Sequence, residues 1–154
     1  MGVKSLGFEE IRRRAENFRK IAQYYSLSQQ FNIGSPEAER FLEENSLAPI
    51  IGTICDQEIT TEDAGTFPYW LSKQLNKGKF SAQLIYNLGK REIKELLRSF
   101  MENKWPSGMA ERDREKYLES ISSYIINTCG LIHKQYENDP DNMFKNGEYT
   151  VPEI

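Results

Sequence analysis

Three observations predict an all-α fold, an orthogonal bundle of six to eight helices. Apolar residues recur at steps of three and four through most of the chain. Helix start and stop signals bracket those segments. No stretch alternates with period two, no block repeats at a fixed period, and no tract is of low complexity. With 154 residues, 38% hydrophobic and 28% charged, the chain has the length and composition of one globular domain that needs no stapling.

Phe8, Ile11, Ala15, Phe18, Ile21 and Tyr25 make 7–25 an amphipathic helix. Its basic residues Arg12, Arg13, Arg14, Arg19 and Lys20 are expected mostly on the opposite face, partly offset by Glu9, Glu10 and Glu16. A polar, Gln-rich stretch then leads to Ser35-Pro36-Glu37, where a serine cap, a proline at the first helical position and an early acid start a second helix running to about Asn45.

The next segment, Pro49-Ile50-Ile51-Gly52-Thr53-Ile54-Cys55, is apolar for about two turns and stops at Asp56-Gln57-Glu58. Thr60 or Thr61 caps a fourth helix that has Glu62 and Asp63 in its first turn and carries Phe67, Trp70, Leu71 and Leu75 inward. Pro68 is expected to bend that helix or delay its start. The arrangement reads as a buried helix delivering a polar tip to the surface at a tight corner.

Asn76-Lys77-Gly78-Lys79 is a basic turn. Ser81 starts a short helix, Gly89 ends it, and 90–101 follows with Ile93, Leu96, Leu97 and Phe100 inward. Asn103 to Met109 is a loop leading into a long helix over about 110–137, whose inner stripe is Leu118, Ile121, Ile125, Cys129 and Ile132. Gly130 inside it implies close packing against a neighbour, since a mid-helix glycine costs about 1 kcal/mol relative to alanine. Beyond Asn138 the periodicity fails, apart from a possible short helix from Asp139 through Met143 and Phe144.

Most familiar chemistries find no footing. Cys55 and Cys129 lie in apolar helical patterns with no partner at zinc spacing and read as buried thiols in a reducing compartment. His133 is the only histidine. Asp139-Pro140-Asp141-Asn142 lacks the glycine and glutamate of a calcium loop, and no phosphate-binding glycine loop or nucleophile elbow is present. A net charge of −3 confines any nucleic-acid site to a local patch. With no apolar run of about 18 residues and no signal peptide at the N-terminus, a cytoplasmic protein with no membrane association is expected.

The Ile50–Ala64 junction, Ile-Ile-Gly-Thr-Ile-Cys-Asp-Gln-Glu-Ile-Thr and the helix after it, resembles the opening of the helical barrel in the helix-hairpin-helix DNA glycosylases, the endonuclease III-like superfamily. The later segments follow in the same order. Trp70 to Leu75 resembles the second barrel helix, Ser81 to Leu88 the short helix and Lys90 to Phe100 the next. Trp105-Pro106-Ser107-Gly108-Met109-Ala110 resembles the loop into the long helix, Leu118 to Tyr136 that helix, and Asp141 to Asn146 with Val151-Pro152-Glu153-Ile154 the approach to the hairpin. The resemblance covers 46–154 and divides the chain into N-terminal amphipathic helices and linker (1–45) and a partial glycosylase-like helical domain (46–154).

It implies the DNA-binding part of a base-excision repair glycosylase or AP lyase. Gln57 would enter the duplex at the target base and fill the gap left by the flipped nucleotide, with Thr60, Lys73, Lys77 and Lys79 on the DNA-facing side. The family's hairpin, its catalytic lysine and aspartate, and the cysteines of the iron–sulfur cluster that some members carry have no counterparts here. The resemblance therefore implies double-stranded DNA as partner, no catalytic residue, metal or cofactor in this chain, and no base excision by it alone. A C-terminal half or a second copy would cover exposed apolar surface. A non-enzymatic helical interaction module, or one half of a split glycosylase, is the alternative. Asp56 and Glu58 put negative charge beside Gln57, unfavourable next to phosphates.

Overall fold

The computed structural model describes residues 9–15, 35–75 and 80–142, and among them it is all-helical, with seven helices and no strand. Residues 9–15 belong to α1, followed by α2 (Pro36–Glu44), α3 (Leu47–Cys55), α4 (Thr61–Leu75), α5 (Ala82–Leu88), α6 (Lys90–Met101) and α7 (Glu111–Gln135). Lys77 and Lys79, and the expected short helix through Met143 and Phe144, lie outside the described residues.

The helix boundaries follow the capping chemistry. Ser35 Oγ accepts from the Ala38 N–H at 3.1 Å with Pro36 at the first position of α2, and Ser81 Oγ accepts from the Leu84 N–H at 3.1 Å at the start of α5. Gly89, at φ +91°, separates α5 from α6 in a conformation that disfavours a side chain. Pro68 lies inside a continuous α4. The expected late start therefore gives way to a single helix, which begins seven residues before the proline.

α7 is the spine and packs on α3, α5 and α6, while α4 packs on α2, α3 and α6. Leu118, Ile121, Ile125, Cys129 and Ile132 are all buried. So are Ile93, Leu97 and Phe100 of α6 and Phe67 and Leu71 of α4. Each fully buried Ile, Leu or Phe contributes about 1.5–3 kcal/mol relative to exposure. A ladder of ion pairs stitches α6 to α7 outside this core: Lys94 lies 2.9 Å from Glu119, Lys90 bonds the same carboxylate, and Arg98 bonds Glu115.

Ile11 and Ala15 join the core. Arg12 does not share the solvent face expected for the basic residues of α1: it is 1% exposed, with a guanidinium nitrogen 2.6 Å from Glu9 Oε1. Next to Ile11 on the helix, its long stem is drawn under neighbouring chain. Arg13 and Arg14 do keep the outer face, both bonded to Glu10.

Candidate functional site at the α3–α4 corner

All nine residues of α3 are buried, including both ends. A helix so enclosed must satisfy its last carbonyls locally, and it does. The Asp56 N–H donates to Thr53 O at 3.2 Å, and Gln57 Nε2 donates to Ile54 O at 3.2 Å. Cys55 O accepts twice, from the Gln57 N–H and from the Tyr117 hydroxyl, each at 2.7 Å. The chain reverses through Glu58, whose φ of +65° is uncommon for a residue with a side chain. Ile59 packs against the core. Thr60 then caps α4, its Oγ1 accepting from the Asp63 N–H at 3.1 Å and its carbonyl from the Ala64 N–H at 2.9 Å. Thr61 closes the corner by donating to Asp56 Oδ1 at 3.3 Å.

The acids beside Gln57 are half-buried. Burial, against a smaller opposing effect from Thr61, raises the Asp56 pKa above the usual carboxylate range. Glu58 Oε2 is buried and makes no hydrogen bond. Burial, with the negative charges of Asp56 and Glu58 adding to it, pushes the Tyr117 phenol well above its ordinary value. Tyr117 is therefore a neutral donor, and Cys55 O is the group it serves.

Of the residues expected on the interface, Gln57 and Thr60 meet at this corner, Thr60 exposed and Gln57 partly so. The Gln57 amide is folded back on the end of α3 instead of projecting. Lys73 is on α4 as well but near its other end, about 18 Å from Thr61 at about 1.5 Å per residue, exposed, with Nζ 5.2 Å from the centre of the Tyr69 ring. It is on the same helix as the corner but not adjacent to it.

Tyr117 was invisible to sequence reasoning as part of this corner. It stands one residue before Leu118, four before Ile121, and so falls on the buried stripe. A buried tyrosine predicts a partner for its hydroxyl, but not which one.

A second concavity, an open cleft of about 580 Å³, lies between α6 and α7 and is lined by Glu95, Arg98, Glu102, Trp105, Arg114 and Glu115, among others. Arg98 is bonded to Glu95 and Glu115 there, so much of its polar lining is already self-satisfied. Its indole, Trp105, meets Tyr117 edge-on at 5.7 Å and 89°. The cleft and the corner thus share one aromatic contact.

Cys55 and Cys129 are buried free thiols, as expected. Among the described residues no group of three or more His, Cys, Asp or Glu is placed to hold a metal ion, and no helix is long and apolar enough to cross a membrane. No family model, no curated protein and no solved structure matches the chain.

Proposed function

We propose that this chain is the DNA-binding part of a base-excision repair protein of the helix-hairpin-helix glycosylase kind, with Gln57 as the residue that enters the duplex. The observation that carries the reading is the build of the corner. A wholly buried helix, with the carbonyls of Thr53, Ile54 and Cys55 engaged at its end, leads into a narrow turn that carries one amide side chain and a threonine at its tip. A side chain that must hold open a stacked duplex needs such backing, because the pressure of restacking bases falls on whatever supports it.

An amide has both donor and acceptor, so it can pair with the base left opposite a flipped nucleotide. In the free protein that amide is parked on Ile54 O. Exchanging this bond for one to a base is close to balanced, since a single hydrogen bond is worth about 0.5–1.5 kcal/mol net. Asp56 and Glu58, both half-buried, stand beside Gln57 and oppose phosphate contact, so the salt-dependent attraction must come from cations elsewhere on the face. Lys73, about 18 Å along α4, is within the span of a few phosphates on one strand. Nothing in this chain corresponds to the groups that cleave the glycosidic bond in that family, so the proposal assigns it DNA engagement and not base excision.

The test compares binding to an intact duplex and to one with an abasic gap, by fluorescence anisotropy. Gln57→Ala is expected to weaken gapped binding more than intact binding, with both falling steeply as salt rises. Equal losses on the two duplexes would exclude an intercalating role and leave the helical interaction module as the better reading.

A further inference from the structure

We infer that Tyr117 is a positioning residue for the Gln57 corner, and that Trp105 braces it. This rests on the DNA reading above and extends it to two residues from other parts of the fold. The Tyr117 hydroxyl reaches across from α7 and donates to Cys55 O at 2.7 Å, the same carbonyl that holds the Gln57 N–H at 2.7 Å. One oxygen thereby couples the backbone of Gln57 to the spine of the bundle. Tyr117 is fully buried, and its ring is held by the Trp105 edge at 5.7 Å. Trp105 lies on the loop between α6 and α7 with Arg114 5.8 Å from its centre, so the loop, the spine and the corner form one chain of contacts.

The buried α3 and Ile59 seat the corner on the core, and the Tyr117 bond adds a tie from the turn to α7. The bonds from the Asp56 N–H to Thr53 O, from Gln57 Nε2 to Ile54 O and from Thr61 to Asp56 are local, and local bonds set the shape of a turn more than where it sits. The Tyr117 bond spans 62 positions. Removing the hydroxyl is expected to leave the turn intact in shape but less firmly tied to the spine, and a Gln57 less firmly placed loses its advantage at a gap, where placement within about 0.5 Å matters.

Tyr117→Phe removes the hydroxyl and keeps the ring. Its expected effect is a fall of roughly three- to tenfold in the ratio of gapped to intact affinity, matching a hydrogen bond's usual worth, with intact affinity little changed. In the Gln57→Ala background the same substitution leaves the ratio unmoved, because there is no longer a side chain to place. A purely structural loss would instead lower both affinities together in either background.

Hydrogen exchange provides a readout that needs no DNA: Tyr117→Phe is expected to speed exchange at the Gln57 N–H severalfold with the α7 amides unaffected. Trp105→Phe, which keeps an aromatic ring at a site packed against the core, is expected to move the ratio and the exchange rate in the same direction to a smaller extent. If Gln57→Ala lowers the ratio and Tyr117→Phe does not, the positioning role is overturned and the DNA reading stands. If Gln57→Ala leaves the ratio unchanged, the DNA reading falls and takes this role with it.

Discussion

Replacing Gly130 with alanine sets two opposing effects against each other in the middle of α7. Alanine gains about 1 kcal/mol over glycine in a helix interior. The added Cβ, however, would stand 2.7 Å from Tyr86 Cε1 and 2.9 Å from Cδ1, distances that Cβ atoms do not tolerate. The half-buried Tyr86 ring must shift, and its contacts resist the shift. Its hydroxyl is bonded to Lys134 Nζ at 2.9 Å, the same ammonium lies 4.8 Å from the ring centre, and the His133 ring is 6.2 Å away. Overpacking of this kind costs about 1–3 kcal/mol. The net expectation is a loss of about 1 kcal/mol, read as a fall of about 2–4 °C in Tm for a chain of this size.

Thermal and urea unfolding of four proteins separates the two effects: the parent, Gly130→Ala, Tyr86→Ala and the double variant. With the ring gone, Gly130→Ala should turn stabilising by about 0.5–1 kcal/mol, and the cycle should show a coupling of about 1–3 kcal/mol. If Gly130→Ala stabilises equally with and without the Tyr86 ring, the close approach of α5 to α7 is wrong and the reasoning with it.

Three further expectations are of the same kind. Lys90 and Lys94 pull the Glu119 pKa down from 4.5 to about 2. A depressed carboxyl stabilises the fold above its unfolded value and loses that contribution as pH falls through its folded one, so the urea midpoints of the parent and Glu119→Gln should differ at neutral pH and converge between pH 4.5 and 2. Asp56 has the opposite sign, since burial raises its pKa and its charge therefore opposes folding at neutral pH. Asp56→Asn, which keeps an acceptor for Thr61, should be at least as stable as the parent at pH 7, its advantage shrinking toward pH 3.8, and a pH-independent loss would contradict this. Burial raises both thiols well above their ordinary range, so Cys55 and Cys129 should react with a thiol reagent only as fast as the protein opens, and rapid labelling of either under native conditions would place it at the surface.

How far the sequence could be read differs from element to element, for a physical reason in each case. Ser35-Pro36 and Ser81 announced their helices because a cap is a local bond between a side chain and an amide three residues on. The stripe from Leu118 to Ile132 was equally plain, since burial of one helical face is written at fixed spacing. Gly130 told of a close neighbour but not that the neighbour was Tyr86. Pro68 did not delay the start of α4, since its ring can be accommodated within a helix held by tertiary packing, and Arg12 left the solvent face because a guanidinium with its own carboxylate can be enclosed.

At the corner the division is sharpest. The sequence by itself determined that an apolar helix stops at Asp56-Gln57-Glu58 and that a threonine caps the next, because both depend on neighbours along the chain. Only the tertiary structure decided that a carboxylate oxygen of Glu58 is buried and that Tyr117 ties the turn to α7. The Tyr117 bond joins residues 62 positions apart, placed by how the helices cross, and no local pattern encodes it.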